Sequence, residues 1–237
     1  ATGSTTITGG AGADTITGGS GLDTFVASAG NDIVSAGSGT IVDTFQFTGT
    51  LLAANSGTTA TFDGDAGTDI VDITTDTATI VDADFRGFTA IETLTTGDGA
   101  NSITLGTLAN TSGITTITDG SDADTIDISA SGFTNTVTIN AGNGIDTISL
   151  GAQTATIVFT GTNVAGNDSD VITGFTSGTD KINLDAVTAA TGTTVLVGTQ
   201  TNTVNTVYIL TGQALGAADT VGGAAVAAAA AGAFGDA

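Results

Sequence analysis

Between residues 9 and 35 the chain reads GGAGADTITGGSGLDTFVASAGNDIVS, and an aspartate returns every nine residues. The first unit sets out Gly9, Gly10, Gly12, Asp14 and Ile16, and the second repeats them as Gly18, Gly19, Gly21, Asp23 and Phe25. The third keeps Gly30, Asp32 and Val34 but has Ala27 and Ser28 in place of the glycine pair. Glycine admits positive φ and lets neighbouring carbonyls approach, and an apolar or β-branched run behind such a turn suits a buried strand. Each unit is therefore a turn plus a strand. Two units close one coil, which puts Asp14 and Asp32 on one side and Asp23 on the other, with adjacent strands about 4.8 Å apart. Ile16, Phe25 and Val34 then face one narrow core from its two walls.

Carboxylates stacked at that spacing repel one another, and the rest of the chain offers little relief. There are 24 acidic residues against two basic ones, Arg86 and Lys181, with no histidine and a net charge of −22. Neutralisation has to come from solution. A hard cation with oxygen ligands is the expected solution, and calcium accepts six to eight carboxylate and carbonyl oxygens in flexible geometry; Ca2+ is the expected cofactor. With 40% hydrophobic residues and a positive mean hydropathy, the chain is too apolar for a purely disordered acidic tail. Nucleic acid and anionic membranes are excluded as partners, because both are recognised through Lys and Arg.

Beyond residue 40 the nine-residue beat is lost while the unit persists, as GDAGTDIVD (64–72), TGDGANSIT (96–104), DGSDADTID (119–127) and AGNGIDTIS (141–149). Asp69, Asn101, Asp124 and Asp146 hold the place of the aspartate. From Asn101 onward a steady step of 22 to 23 residues leads to Asp168, the mark of a repeat solenoid. Steps from Asp43 and Asp69 are longer, so LLAANSG (51–57) and DADFRGFTAIETL (82–94) are expected to loop out or widen the coil. Paired runs such as TIDIS with TVTIN, and TISL with TATIVF, read as two strands per coil. No linker divides the chain, which is read as a single elongated all-β solenoid domain, 1–237. It comprises regular nonapeptides (1–40), longer irregular coils (41–167), a closing segment (168–215) and an Ala/Gly-rich tail (216–237). ATGSTTITGG has neither the basic start nor the apolar core of a signal peptide. The stretch VGGAAVAAAAAGAF (221–234) is too short to span a membrane and reads as a short helix, a flexible end or part of an export signal.

Residues 9–26 without a break, and the units at 27, 64 and 141 in part, resemble the calcium-binding nonapeptide repeat of RTX proteins. DSDVITGFTSGTDKINL (168–184) resembles the segment that closes such repeats in type I secreted proteins, including the serralysin-type C-terminal domain. The resemblance implies a right-handed parallel β-roll (β-helix) with calcium held between successive turns, and export by a type I secretion apparatus without a cleaved N-terminal signal. It assigns the carboxylate role to Asp14, Asp23, Asp32, Asp69 and Asp146, with Asn101 and Asp124 at the same place. The backbone role falls to carbonyls near Gly10, Gly12, Gly19, Gly21, Gly30, Gly67 and Gly144. Asn101 departs from the pattern by offering a neutral oxygen, and Asp122 by standing where a glycine is expected. The composition around residues 85–105 is similar to that of calcium-dependent bacterial surface-layer proteins.

Missing residues narrow the function. Without His or Cys there is no HExxH zinc site, no Ser-His-Asp triad and no Cys-His nucleophile, and no phosphate-cradling loop with its lysine is present; no enzyme is expected. Lys181 is read as a structural ion-pair partner and Arg86 as a counter-ion to Asp82 and Asp84. A hydrolytic pairing of Glu92 with Asp84 is the rival reading of those acids. The expected function is a calcium-dependent, self-assembling structural protein, a surface-layer or filament subunit, either secreted or held on a bacterial cell surface. Its partners would be its own copies, the type I secretion apparatus and a cell-surface glycan. The alternative is a calcium-binding secretion domain at the C-terminus of a larger RTX enzyme, toxin or adhesin. Ice binding by threonine ladders ranks below both, since no Thr-x-Thr recurs at one fixed coil position.

Overall fold

The structure, a computed structural model, describes residues 3–55, 59–161, 169–176, 178–187, 196–197 and 206–210. Short runs with an apolar residue at every second place, such as TFQF and IVDI, form strands that bury that residue and expose its neighbours. Each coil adds one strand to a nine-stranded parallel sheet: Thr5–Thr8, Asp23–Val26, Thr44–Phe47, Ile70–Ile73, Thr93–Thr96, Thr116–Thr118, Val137–Asn140, Ala155–Gly161 and Lys181–Val187. Two shorter parallel sheets carry the remaining coil strands in succession. The first has four strands, Thr15–Thr17, Ile33–Ser35, Thr61–Asp63 and Phe88–Thr89; the second starts with Thr79–Val81, Ser102–Thr104, Thr125–Ile128, Thr147–Leu150 and Ser169–Thr173. This is a parallel β-roll.

Register is set by ladders of like residues. On the long sheet Phe45, Val71, Leu94, Ile117, Ile139 and Ile157 are consecutive rungs, and Ile80, Ile103, Ile126, Ile148 and Ile172 form the ladder of the second short sheet. All of these are buried. Where the four-stranded sheet forms the wall, the core is aromatic: Phe25 stacks on Phe45 with ring centroids 5.1 Å apart, and Phe62 on Phe88 at 4.8 Å. Ile16, Phe25 and Val34 do line one core as expected, with Ile16 only partly buried because it lies in the first coil.

The two long excursions widen the coil rather than looping out. LLAANSG contributes most of helix α1 (Gly49–Asn55), which buries Leu52, and DADFRGFT forms a 3-10 turn (Asp82–Phe85) and the strand Phe88–Thr89, which bury Phe85 and Phe88. Helix α1 packs on Thr79–Val81, and helix α2 (Thr107–Ser112) packs on Phe88–Thr89. Each helix thus covers the edge strand at which one short sheet begins or the other ends, where unpaired main-chain groups would otherwise be open. Asp82 holds α2 in place: its carboxylate accepts the N–H groups of Gly106 (2.8 Å), Leu108 (3.2 Å) and Ala109 (2.9 Å), a capping role taken from the coil below. Asp84 accepts the N–H of Val81 at 2.8 Å. Both carboxylates are therefore held by main-chain donors, and Arg86 is exposed instead of being the counter-ion expected between them.

At its far end the roll changes direction. Ser169–Thr173 pairs with Thr147–Leu150 in parallel and with Thr206–Leu210 antiparallel, and Leu196–Val197 adds to the latter. The expected step from Asp146 to Asp168 is corrected here: Thr147 lies opposite Val171, so the residue level with Asp146 is Asp170. The tail expectation for residues 221–234 falls outside the described residues. Among the described residues no helix is long and apolar enough to cross a membrane.

Candidate metal sites along the turns

The aspartates lie at the start of the strands, each two residues before an apolar side chain that is buried, or in the case of Ile16 after Asp14 partly buried. There they form hydrogen-bonded rows. Asp14 N–H donates to Oδ1 of Asp32 (3.0 Å), one coil on. On the long sheet Asp23 donates to Asp43 (2.6 Å), Asp43 to Asp69 (2.7 Å) and Asp69 to Oε2 of Glu92 (2.8 Å). On the second short sheet Ala78 donates to Asn101 (2.9 Å), Asn101 to Asp124 (2.7 Å), Asp124 to Asp146 (2.9 Å) and Asp146 to Asp170 (2.8 Å). Asp14 and Asp32 thus share one wall and Asp23 lies on the other, as expected, and the rows number three because one wall is a single long sheet while the other is divided into two short ones.

Asp32, Asp43, Asp69, Asp124, Asp146 and Asp170 each accept one main-chain N–H this way; the carboxylate oxygens left over are the informative ones. Asp14 Oδ2, Asp23 Oδ1, Asp69 Oδ2, Asp124 Oδ2 and Asp146 Oδ2 are buried without a hydrogen-bond partner, as is Oδ2 of Asp119. Leaving a charged acceptor buried and unmatched costs more than the desolvation of a neutral group. The electrostatics register that cost. Burial pushes the carboxyl of Asp146 up to about 8, with the charges of Asp170, Asp124 and Asp119 adding to it and the Asp124 N–H opposing. Burial likewise raises Asp124 to about 7 and Asp69 to about 6, and raises Asp43 and Asp119 in the same direction. A cation placed against the orphaned oxygens removes both problems.

The turns supply the rest of a cage. An ideal Cβ on Gly30, whose φ is +151°, would sit 1.8 Å from the carbonyl oxygen of Gly12, and one on Gly144 (φ +139°) 1.8 Å from that of Asp122. Carbonyls of one coil therefore point at the turn of the next so closely that only glycine fits. Gly10 and Gly12 also have positive φ, while Gly19 lends its N–H to Oδ2 of Asp23 at 2.7 Å. Asp122 keeps the glycine-like conformation at φ 74°, so the turn survives that departure from the pattern. Among the described residues no three carboxylates converge on one point. An ion here would draw on one or two carboxylate oxygens together with main-chain carbonyls, a donor set that suits calcium's high and flexible coordination.

Residues 1–40 match the family model described as the RTX calcium-binding nonapeptide repeat (4 copies). These coils are RTX repeats. RTX repeats bind calcium ions, and the chemistry of the rows agrees: Asp14, Asp23 and Asp32 are the carboxylates that would hold an ion in this part, and carbonyls of the Gly10, Gly12, Gly19, Gly21 and Gly30 turns would be its further ligands. The ion supplies positive charge that the chain lacks. No curated protein and no solved structure matches the chain. Beyond residue 40 the rows continue the RTX geometry over coils of 20 to 26 residues. Asp43, Glu92 and Asp170 were not among the expected ligands, and Glu92 serves in a row instead of pairing with Asp84. Each keeps only one of the nonapeptide's three glycines, Gly39, Gly87 or Gly166, but each is followed two residues later by a buried apolar residue, Phe45, Leu94 or Ile172, and that is the signal the glycine pattern obscured.

Proposed function

We propose that this chain is a calcium-dependent, self-assembling structural protein of the extracellular space, a surface-layer or filament subunit exported by a type I secretion apparatus. The observation that carries the reading is the rows of buried, half-satisfied carboxylates, which make a rigid rod conditional on calcium outside the cell and leave an exported chain unfolded where calcium is scarce. No catalytic role is proposed, since Glu92 and Asp84 both bind main-chain N–H groups.

Electron microscopy of the purified protein at millimolar calcium, about the range of extracellular modules, tests the reading: a lattice or fibre that dissolves in chelator is expected. A monomer by light scattering at high protein and calcium concentration would sink it. The switch from parallel coils to the antiparallel strand Thr206–Leu210 favours one second reading, a calcium-binding secretion domain of a larger protein. Intact-mass measurement of the native protein separates the two, since a much longer native chain supports the second.

A further inference from the structure

Asn101 stands in the row of the second short sheet where the three rungs that follow it, Asp124, Asp146 and Asp170, have aspartate, and the residue is 3% exposed. Its Nδ2 donates to the carbonyl oxygens of Gly97 (2.9 Å) and Gly99 (2.8 Å) and to Oδ1 of Asp119 (2.8 Å), while its Oδ1 accepts the N–H of Ala78 (2.9 Å). The orientation of the amide is forced. Reversed, it would set an oxygen against three acceptors and an NH2 against a donor. The two carbonyls lie four and two residues before Asn101, the same offsets as Gly10 and Gly12 before Asp14, or Gly142 and Gly144 before Asp146.

We propose that the Asn101 amide is a built-in substitute for the cation, so that the roll contains one calcium-free rung in line with calcium-binding ones. The inference rests on the reading that the aspartate turns bind calcium. At Asp124 and Asp146 the second side-chain oxygen is buried and unmatched, and an ionised carboxylate has no hydrogen to offer the turn carbonyls; in that state a cation is what brings these acceptors together. At position 101 two amide hydrogens do so. Asp119 completes the arrangement from the next coil through one oxygen: its Oδ1 also accepts the hydroxyl of Thr96 and the N–H of Gly120, which gathers donors at the amide, while its unmatched Oδ2 is left to the aspartate rungs beyond, whose Asp124 and Asp146 feel its charge. The position in the row explains the choice. Ala78, one coil below, has no side-chain oxygen, so an ion between these rungs would find a carboxylate on one side only.

The test counts calcium bound to the full chain by native mass spectrometry at saturating calcium, and follows β-structure in chelator. Asn101→Asp is expected to bind one more ion than the wild type and to keep less β-structure in chelator. Asp146→Asn, which places the same amide against Gly142 and Gly144, is expected to bind at least one ion fewer and to keep more. Asn101→Ala loses the donors without gaining a ligand, so its count should equal that of the wild type while its stability falls in calcium and chelator alike. A wild type that binds calcium with an unchanged count in Asn101→Asp overturns the proposal, as does Asn101→Ala of unaltered stability. If Asn101→Asp does not fold, an unchanged count in Asp146→Asn overturns it instead. A wild type that binds no calcium at all overturns the calcium reading itself.

Discussion

Asp124 and Asp146 sit one above the other in consecutive coils, the N–H of the first donating to Oδ1 of the second at 2.9 Å, while Oδ2 of each is buried with nothing bound to it. A hydrogen bond that fixes the register and an oxygen without a partner are two halves of one side chain. Folding and calcium binding are expected to be coupled through that division.

Replacing Asp23 with Ala separates the two halves. The variant loses the acceptor of the Gly19 N–H and one buried unmatched oxygen, but keeps the glycine turns. At saturating calcium it is expected to fold with a loss of about 1–3 kcal/mol, and its folding midpoint should move to higher calcium. Circular dichroism during a calcium titration reads both; a midpoint identical to that of the wild type would remove Asp23 from the ligand set.

The calcium-free fold should respond to acid in the reverse of the usual sense. Its carboxyls at Asp69, Asp124 and Asp146 are raised from 3.8 to about 6, 7 and 8, so the folded form binds more protons than the unfolded one. That contribution is complete below pH about 4 and is lost as pH climbs through 6 to 8. In chelator, β-structure should therefore increase on acidification from pH 8 to pH 4, whereas in saturating calcium it should change little over the same range. Denaturant unfolding at stepped pH checks the sign, and greater calcium-free stability at pH 8 than at pH 5 would contradict it.

Spacing is as constraining as charge. One alanine inserted between Asp14 and Asp23 shifts Asp23–Val26 by one residue against Thr5–Thr8 and Thr44–Phe47, which would turn Phe25 outward and Thr24 inward. The insertion is expected to unfold the first coils even at high calcium, read as loss of hydrogen-exchange protection there. A titration curve like that of the wild type would show that the nine-residue beat sets no register.

Asp82→Ala tests a carboxylate that has no place in the calcium rows. It removes the acceptor shared by Gly106, Leu108 and Ala109 and should cost about 1–2 kcal/mol, in line with loss of a helix cap, with the number of bound calcium ions unchanged. Native mass spectrometry showing fewer ions would assign Asp82 to a metal site.

Local periodicity was enough to place Asp14, Asp23 and Asp32 on alternate walls and to identify the turn glycines, because two nine-residue units close one coil. Register over longer coils was not legible in that way. Asp69 is level with Glu92, 23 residues on, and not with Asn101, because the coil between gained a 3-10 turn and a third strand whose packing of Phe85 and Phe88 set where the chain returned to the long sheet. Asp170 displaced Asp168 for the same kind of reason, since Ile172 had to meet Ile148 in the core. The role of Asn101 depended on a neighbour 18 residues away, Asp119. Sequence determines which residues want a turn, a core or a cation; only the stacking of coils decides which of them meet, because that is settled by the buried side chains between the turns.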